Sequence, residues 1–299
     1  MALPSDLRAS GLLDMTDRIA LVTGGGTGIG LMIAHGFAAN GAKVYIGGRR
    51  KHVLENSAQD LEGAGQLVPI VMDVTDKTSI LAARDTIASA DGFIDVLVNN
   101  AGQTGPMSFW MADDSAPQNR DAEAFGAGLF AEDQGGWASV FAANACSTFF
   151  VTTAFMGLLA QGAARHGAYS VSVINITSMC ASSKIAQAHL LFAYNATKAA
   201  ATHITRMLST ELARRKIPVR VNALAPGVFE SDMTHFALEK GLESITQLLG
   251  MHAVPAGRIG SEAEMAGTAL WMASTAGGYL NGQEILIDGG YATLNPSRL

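Results

Sequence analysis

Short apolar runs alternate along the chain with longer stretches of helical period. RIALVTG at 18–24 is an apolar run closing on glycine, and a helical stretch follows to about Asn40. AKVYIGG at 42–48 predicts a second strand and LVPIVMDV at 67–74 a third. A fourth is expected in IDVLVNNAG at 94–102 and a fifth in YSVSVINITS at 169–178. IPVRVNALAPG at 217–227 and QEILIDGG at 283–290 predict the sixth and seventh. Strands that are apolar throughout are buried on both faces, as parallel strands covered by helices are. The order therefore predicts an α/β protein with a doubly wound, seven-stranded, mainly parallel sheet flanked by helices. Ligands of such a sheet bind beyond the carboxyl ends of its strands.

Two regions break the rhythm. Residues 103–136 show no sustained period and are rich in Gly and Asp. A loop of that length is usually functional, and this insertion-like one, leaving the fourth strand, is expected to border a substrate pocket. From Gln134 to Ala164 no residue is charged, a length that could span a bilayer. Asn144, Ser147, Thr148, Thr152, Thr153 and Gln161 interrupt it, so a helix buried in the protein or at a subunit interface is expected instead. There is no internal repeat and no low-complexity linker, and one domain is expected over 1–299, with 1–14 as an N-terminal extension.

Composition narrows the function classes. The chain is 48% apolar and 15% charged, which suits a large core. A net charge of −6 without a basic block argues against nucleic acid or an anionic membrane as partner. Two cysteines, Cys146 and Cys180, are too few for a disulfide framework, and no signal peptide is evident. A soluble, cytoplasmic protein is expected.

Candidate chemistry gathers at the strand ends. LVTGGGTGIG places Gly24, Gly28 and Gly30 between the first strand and a helix. There glycines permit a tight turn and let backbone N–H groups approach a pyrophosphate. The second strand ends in GGRRK; arginine at that position suits a 2′-phosphate and an acid would suit a free ribose. Arg49 and Arg50 therefore point to NADPH/NADP+, with Asp73 at the end of the third strand placed to meet the adenine. In AYNATKAAA, Tyr194 and Lys198 stand four residues apart, on one face of a helix.

TGGGTGIG (23–30), NNAG (99–102), Ser178, YNATK (194–198) and APG (225–227) occur in this order. Together they resemble the classical short-chain dehydrogenase/reductase family over nearly the whole chain, from about Met15 to Ala292. RIALVTGG, VINITS and APGVFESDMT look most like its 3-oxoacyl-carrier-protein reductase-like branch. The resemblance implies a Rossmann-type fold and four catalytic residues. Tyr194 would be the general acid, and Lys198 would lower the phenol pKa and hold the nicotinamide ribose. Ser178 would donate a hydrogen bond to the substrate oxygen, and Asn144 would position a relay water. Gly25, Thr27, Ile29, Val74 and Asn100 join the cofactor contacts, and Val228 and Ser231 match the family's carboxamide contacts. Classical members are dimers or tetramers, which implies a homo-oligomer, here a homotetramer.

Departures from the family lie on the substrate side. Tyr194 follows Ser178 by 16 positions, more than in most members, which leaves Ser182 as an alternative for the serine role. The 103–136 stretch is also longer than usual, and 229–258 is expected to cover the substrate. Cys180 and His189 lie beside the serine without an assigned step, and no cluster has metal-ligand spacing. The leading expectation is NADPH-dependent reduction of a small-molecule ketone, β-keto acyl or polyketide-like. Alternatives are an NAD-dependent alcohol dehydrogenase, an NADP(H)-binding sensor or scaffold, and a secondary-metabolism reductase coupled to a rearrangement.

Overall fold

The computed structural model describes residues 7–59, 64–166, 171–182, 191–234 and 254–295. All seven expected strands form: β1 (Ile19–Thr23), β2 (Lys43–Gly48), β3 (Gln66–Val71), β4 (Val96–Asn99), β5 (Val171–Ile176), β6 (Val219–Pro226) and β7 (Glu284–Ile287). They make one sheet in the order β3-β2-β1-β4-β5-β6-β7, with every pairing parallel. The order reverses between β1 and β4, so a crevice opens beyond their carboxyl ends.

The main helices are α1 (Gly28–Ala39), α2 (Lys51–Ser57), α3 (Lys77–Ala90), α4 (Ala122–Phe130), α5 (Gln134–Phe141), α6 (Ser147–His166), α7 (Phe192–Arg214) and α8 (Glu262–Ala273). Successive strand residues point to opposite faces of the sheet, and the two cores divide accordingly. Ala20, Val22, Val44, Ile46, Val96 and Val98 pack with Ile33 and Phe37 of α1 and Met265 and Met272 of α8. Ile19, Leu21, Tyr45, Leu97 and Val173 pack on the other face with Ile80 and Ile87 of α3, Phe155 and Leu159 of α6, and Leu208 of α7. A buried polar chain ties the layers together. Asn99 Nδ2 donates to Thr152 Oγ1 at 2.9 Å and Asn175 Oδ1 at 2.8 Å, and Asn175 Nδ2 donates to Thr205 Oγ1 at 2.8 Å.

Where the sequence shows no period, 103–136 is largely helical. Two short 3₁₀ turns, Phe109–Ala112 and Pro117–Asn119, lead into α4 and α5. Asp121 and Asp133 cap these helices, accepting from Ala124 N and Gly136 N. Trp110 packs edge-on to Phe125 at 5.4 Å. Both helices are too short and too glycine-rich to display a clear apolar stripe. The uncharged run forms a 33-residue helix, Gln134–His166, long and apolar enough to cross a membrane by length and composition. Half of its most apolar window is buried, and Val151, Phe155 and Leu159 are core residues.

Candidate active site

A cleft of about 790 Å3 lies over the carboxyl ends of β1, β4, β5 and β6. Its first wall is the turn between β1 and α1. Gly24 has φ +64° and Gly28 φ +52°, values that favour glycine. A Cβ on Gly28 would come within 2.9 Å of the Ser231 Cβ, so the segment after β6 rests on this turn. Gly24, Thr27, Gly28 and Ile29 line the cleft, whereas Gly25 and Gly30 do not. Those two are packed behind it: a Cβ on Gly25 would meet the Val22 carbonyl and Ile46, and one on Gly30 the Gly24 carbonyl and the Asn100 amide. Both glycines close the turn behind the cleft. Asn100 secures the turn from β4, its Nδ2 donating to Thr23 O at 3.0 Å and Gly24 O at 3.1 Å.

Cationic and acidic groups follow along the same wall. Arg49 and Arg50 are both exposed and line the cleft, as do Asp73 and Val74. Asp73 accepts from Thr75 N at 2.9 Å and Thr75 Oγ1 at 2.7 Å. These bonds, with Arg49 nearby, hold its carboxyl below the usual range. Arg50 Nη2 pairs at 3.3 Å with Asp232, a cleft residue the motif reading missed because it stands 182 positions away.

The far end of the cleft holds Ser178, Tyr194 and Lys198. Ser178 is the residue after Thr177, beyond the end of β5; its Oγ accepts from Cys180 N at 3.1 Å, which fixes the start of a 3₁₀ turn. The Tyr194 phenol stands beside this serine in the cleft. Lys198 is one turn further along α7, with Nζ 5.5 Å from the Tyr194 ring centroid and donating to Ile176 O at 2.8 Å. Met179, Cys180 and Tyr291 back the phenol as a small apolar cluster.

Asn144 does not line the cleft. It sits in a π-helical turn, Ala142–Cys146, between α5 and α6. Such a turn inside an α-helix often marks a functional site. Its Oδ1 accepts from Gln103 N at 2.9 Å, and its Nδ2 donates to Gln103 O at 2.9 Å and Thr197 Oγ1 at 3.0 Å. The side chain thereby clamps the segment that leaves β4 to α7. Gln103 and Ser139 line the cleft beside it, joined by a 2.7 Å bond from Gln103 Nε2 to Ser139 Oγ. Val228 and Ser231 complete the wall after β6. His189 lies outside the described residues, as do 183–190 of the lengthened loop and 235–253 of the expected cover. Ser182 is described but is not among the cleft-lining residues, while Cys180 is.

Residues 18–241 match the family model described as short chain dehydrogenase. The chain belongs to the short-chain dehydrogenase family. It is 37% identical to the short-chain dehydrogenase/reductase VdtF of Byssochlamys spectabilis, covering 97% of this chain and 98% of that one. It is 34% identical to a rhamnolipids biosynthesis 3-oxoacyl-[acyl-carrier-protein] reductase of Pseudomonas aeruginosa, over 93% of this chain and 97% of the relative. The structure of a Pseudomonas aeruginosa RhlG/NADP active-site complex superposes with a TM-score of 0.79 at 31% identity, covering 94% of this chain and 98% of that chain. These likenesses agree with the reductase-like branch expected from the motifs.

The electrostatics of this family member differ from the sequence reading in one respect. Lys198 is expected to lower the Tyr194 phenol, yet the phenol is raised above its ordinary value. Burial is the leading cause, the neighbouring Cys180 thiol adds to it, and the Ser178 hydrogen bond opposes it. Burial likewise brings the Lys198 ammonium down to about 8 and pushes the Cys180 thiol up to about 11. Desolvation here outweighs the attraction between the charged forms. A raised phenol stays protonated at neutral pH, the state a proton donor requires.

Proposed function

We propose that this oxidoreductase reduces a ketone, β-keto acyl or polyketide-like, to a secondary alcohol with NADPH. The observation that carries the reading is the gathering of Ser178, Tyr194 and Lys198 at one end of the cleft that the glycine turn and Arg49 also line, with burial holding the Tyr194 phenol above its ordinary value. The residues present fit a nicotinamide dinucleotide. The Thr27 side chain makes no capping bond to α1, so first-turn N–H groups remain for an anion. Arg49 and Arg50 supply the cations a 2′-phosphate needs. The wall contributed by Val228 and Ser231 suits the carboxamide end. When bound, the cofactor supplies the hydride.

The chain's own residues do the rest. Ser178 Oγ donates a hydrogen bond to the substrate oxygen, where negative charge grows as the carbonyl is reduced. Tyr194 Oη gives its proton to that oxygen, so the C=O becomes a C–O–H as hydride reaches carbon. Lys198 holds the ribose and, as an ammonium beside the phenol, favours the phenolate left after transfer. Asn144 fixes Gln103 and the π-turn, shaping the route by which the phenol is reprotonated. Met107, Gln103 and Ser139 line the cleft, which supports a part for the lengthened 103–136 region in substrate choice. The adjacent exposed rings of Phe149 and Phe150 on α6 support a homo-oligomer.

Tyr194→Phe is expected to abolish ketone reduction while NADPH binding, followed by cofactor fluorescence, changes little. Retained turnover sinks the acid assignment. The second reading, an NAD-dependent alcohol dehydrogenase, is favoured by no specific residue, since Arg49 and Arg50 stand where an acid would be needed.

A further inference from the structure

Asp232 lies in the cofactor half of the cleft and has no part in the chemistry above. Its Oδ2 is 3.3 Å from Arg50 Nη2 and accepts from Thr27 Oγ1 at 3.3 Å. One carboxylate oxygen thus joins three chain segments: the N-cap of α1, the residue preceding α2 and the stretch after β6. An exposed ion pair has little worth by itself. Its location matters more, because the positive end of a 12-residue helix and a guanidinium are the groups that bind phosphate.

We propose that Asp232 is a built-in counter-anion for the cofactor site. Its carboxylate takes the place of a cofactor phosphate, keeping Arg50 and Thr27 positioned in the free protein. It gives way when a 2′-phosphorylated dinucleotide binds. This rests on the NADPH reading and adds a consequence: NADPH binds by anion exchange, so both entering and leaving cofactor are held less tightly than the bare cationic site would hold them. NADH has no 2′-phosphate and leaves the Arg50–Asp232 pair in place. Asp232 therefore tempers the cofactor preference that Arg50 creates.

The test is direct binding of NADPH and NADH, by cofactor fluorescence, to the full chain and its variants. Asp232→Asn keeps the shape and the acceptor for Thr27 but removes the charge. NADPH should bind about 3–10-fold more tightly and NADH distinctly less improved, with the gain shrinking at high salt. In an Arg50→Gln background, Asp232→Asn should lose the NADPH-specific part of its effect, because the two residues act through one contact. Unchanged or weaker NADPH binding in Asp232→Asn, or an equal gain for NADH, overturns the counter-anion. A wild-type preference for NADH is a different failure, which removes the NADPH reading and the exchange with it.

Discussion

Two buried cations occupy opposite kinds of ground in this protein. Lys198 on α7 is 5% exposed and Arg220 on β6 is 0% exposed. Arg220 donates from Nη1 to Met272 O at 3.0 Å, Gly277 O at 2.9 Å and Leu280 O at 3.3 Å, and from Nη2 to Ala273 O at 3.5 Å. Met272 and Ala273 end α8, where carbonyls lack helical partners and the helix carries partial negative charge. Lys198 donates to the single carbonyl of Ile176 and has the Tyr194 ring beside it. Burial lowers Arg220 to about 10 and Lys198 to about 8. A planar fork suits several fixed carbonyls, whereas a compact ammonium with donors to spare suits a ligand. One cation completes the fold, and the other is held in the cleft at a cost to the fold.

The widest difference is expected at Arg220. Arg220→Ala strands carbonyls at the end of α8 and empties space in the core, so a loss of about 3–5 kcal/mol is expected. Urea unfolding measures it, and a loss under about 1 kcal/mol would break the comparison on the structural side.

Lys198→Met should change stability in the opposite direction and eliminate turnover. The drop from 10.5 to about 8 corresponds to stabilisation on the order of 3 kcal/mol at pH 7 when the charge is removed, less whatever the bond to Ile176 O contributes. The sign follows from proton counts. Between about pH 8 and 10.5 the unfolded chain keeps the lysine proton that the folded chain has released, so wild-type stability rises with pH there. The advantage of Lys198→Met should therefore be complete below pH 8 and shrink as pH rises to 10.5. An advantage constant across that window would show that the ammonium carries no burial penalty.

The smallest effect is expected at the other end of α8. Ser261 accepts from Glu264 N at 3.4 Å, while Glu264 Oε2 accepts from Ser261 N at 2.8 Å, a reciprocal cap in solvent. Ser261→Ala should cost about 1 kcal/mol and leave cofactor affinity unchanged. A loss equal to that of Arg220→Ala would mean that α8 frays as a unit and that the buried cation has no special role.

Much of this arrangement was legible in the chain. All seven strands follow from apolar runs, because a parallel sheet covered on both faces tolerates little else. The glycine turn follows from Gly24 and Gly28, whose positive φ angles admit few other residues. Tyr194 and Lys198 meet because α7 brings every fourth residue to one face. The helices within 103–136 were not legible, since α4 and α5 are short and owe their starts to the caps Asp121 and Asp133. Asn144 could be singled out by its motif, but its clamp on Gln103 depends on a π-turn that leaves no periodic signal. Gly25 and Gly30 stand in the same motif as Gly28, yet only packing separates glycines behind the turn from those that line the cleft.

Local spacing and hydrophobic period thus determined the individual strands, the turn and the tyrosine–lysine pair, because each depends on residues near one another in the chain. Burial and long-range electrostatics were decided by the tertiary structure. The phenol is raised by burial, to which Met179, Cys180 and Tyr291 contribute by packing against it from two distant segments. Asp232 meets Arg50 only after β6 brings it over the glycine turn, and Arg220 finds its carbonyls only once α8 has docked. Desolvation depends on everything packed around a group, and no pattern along the chain encodes that sum.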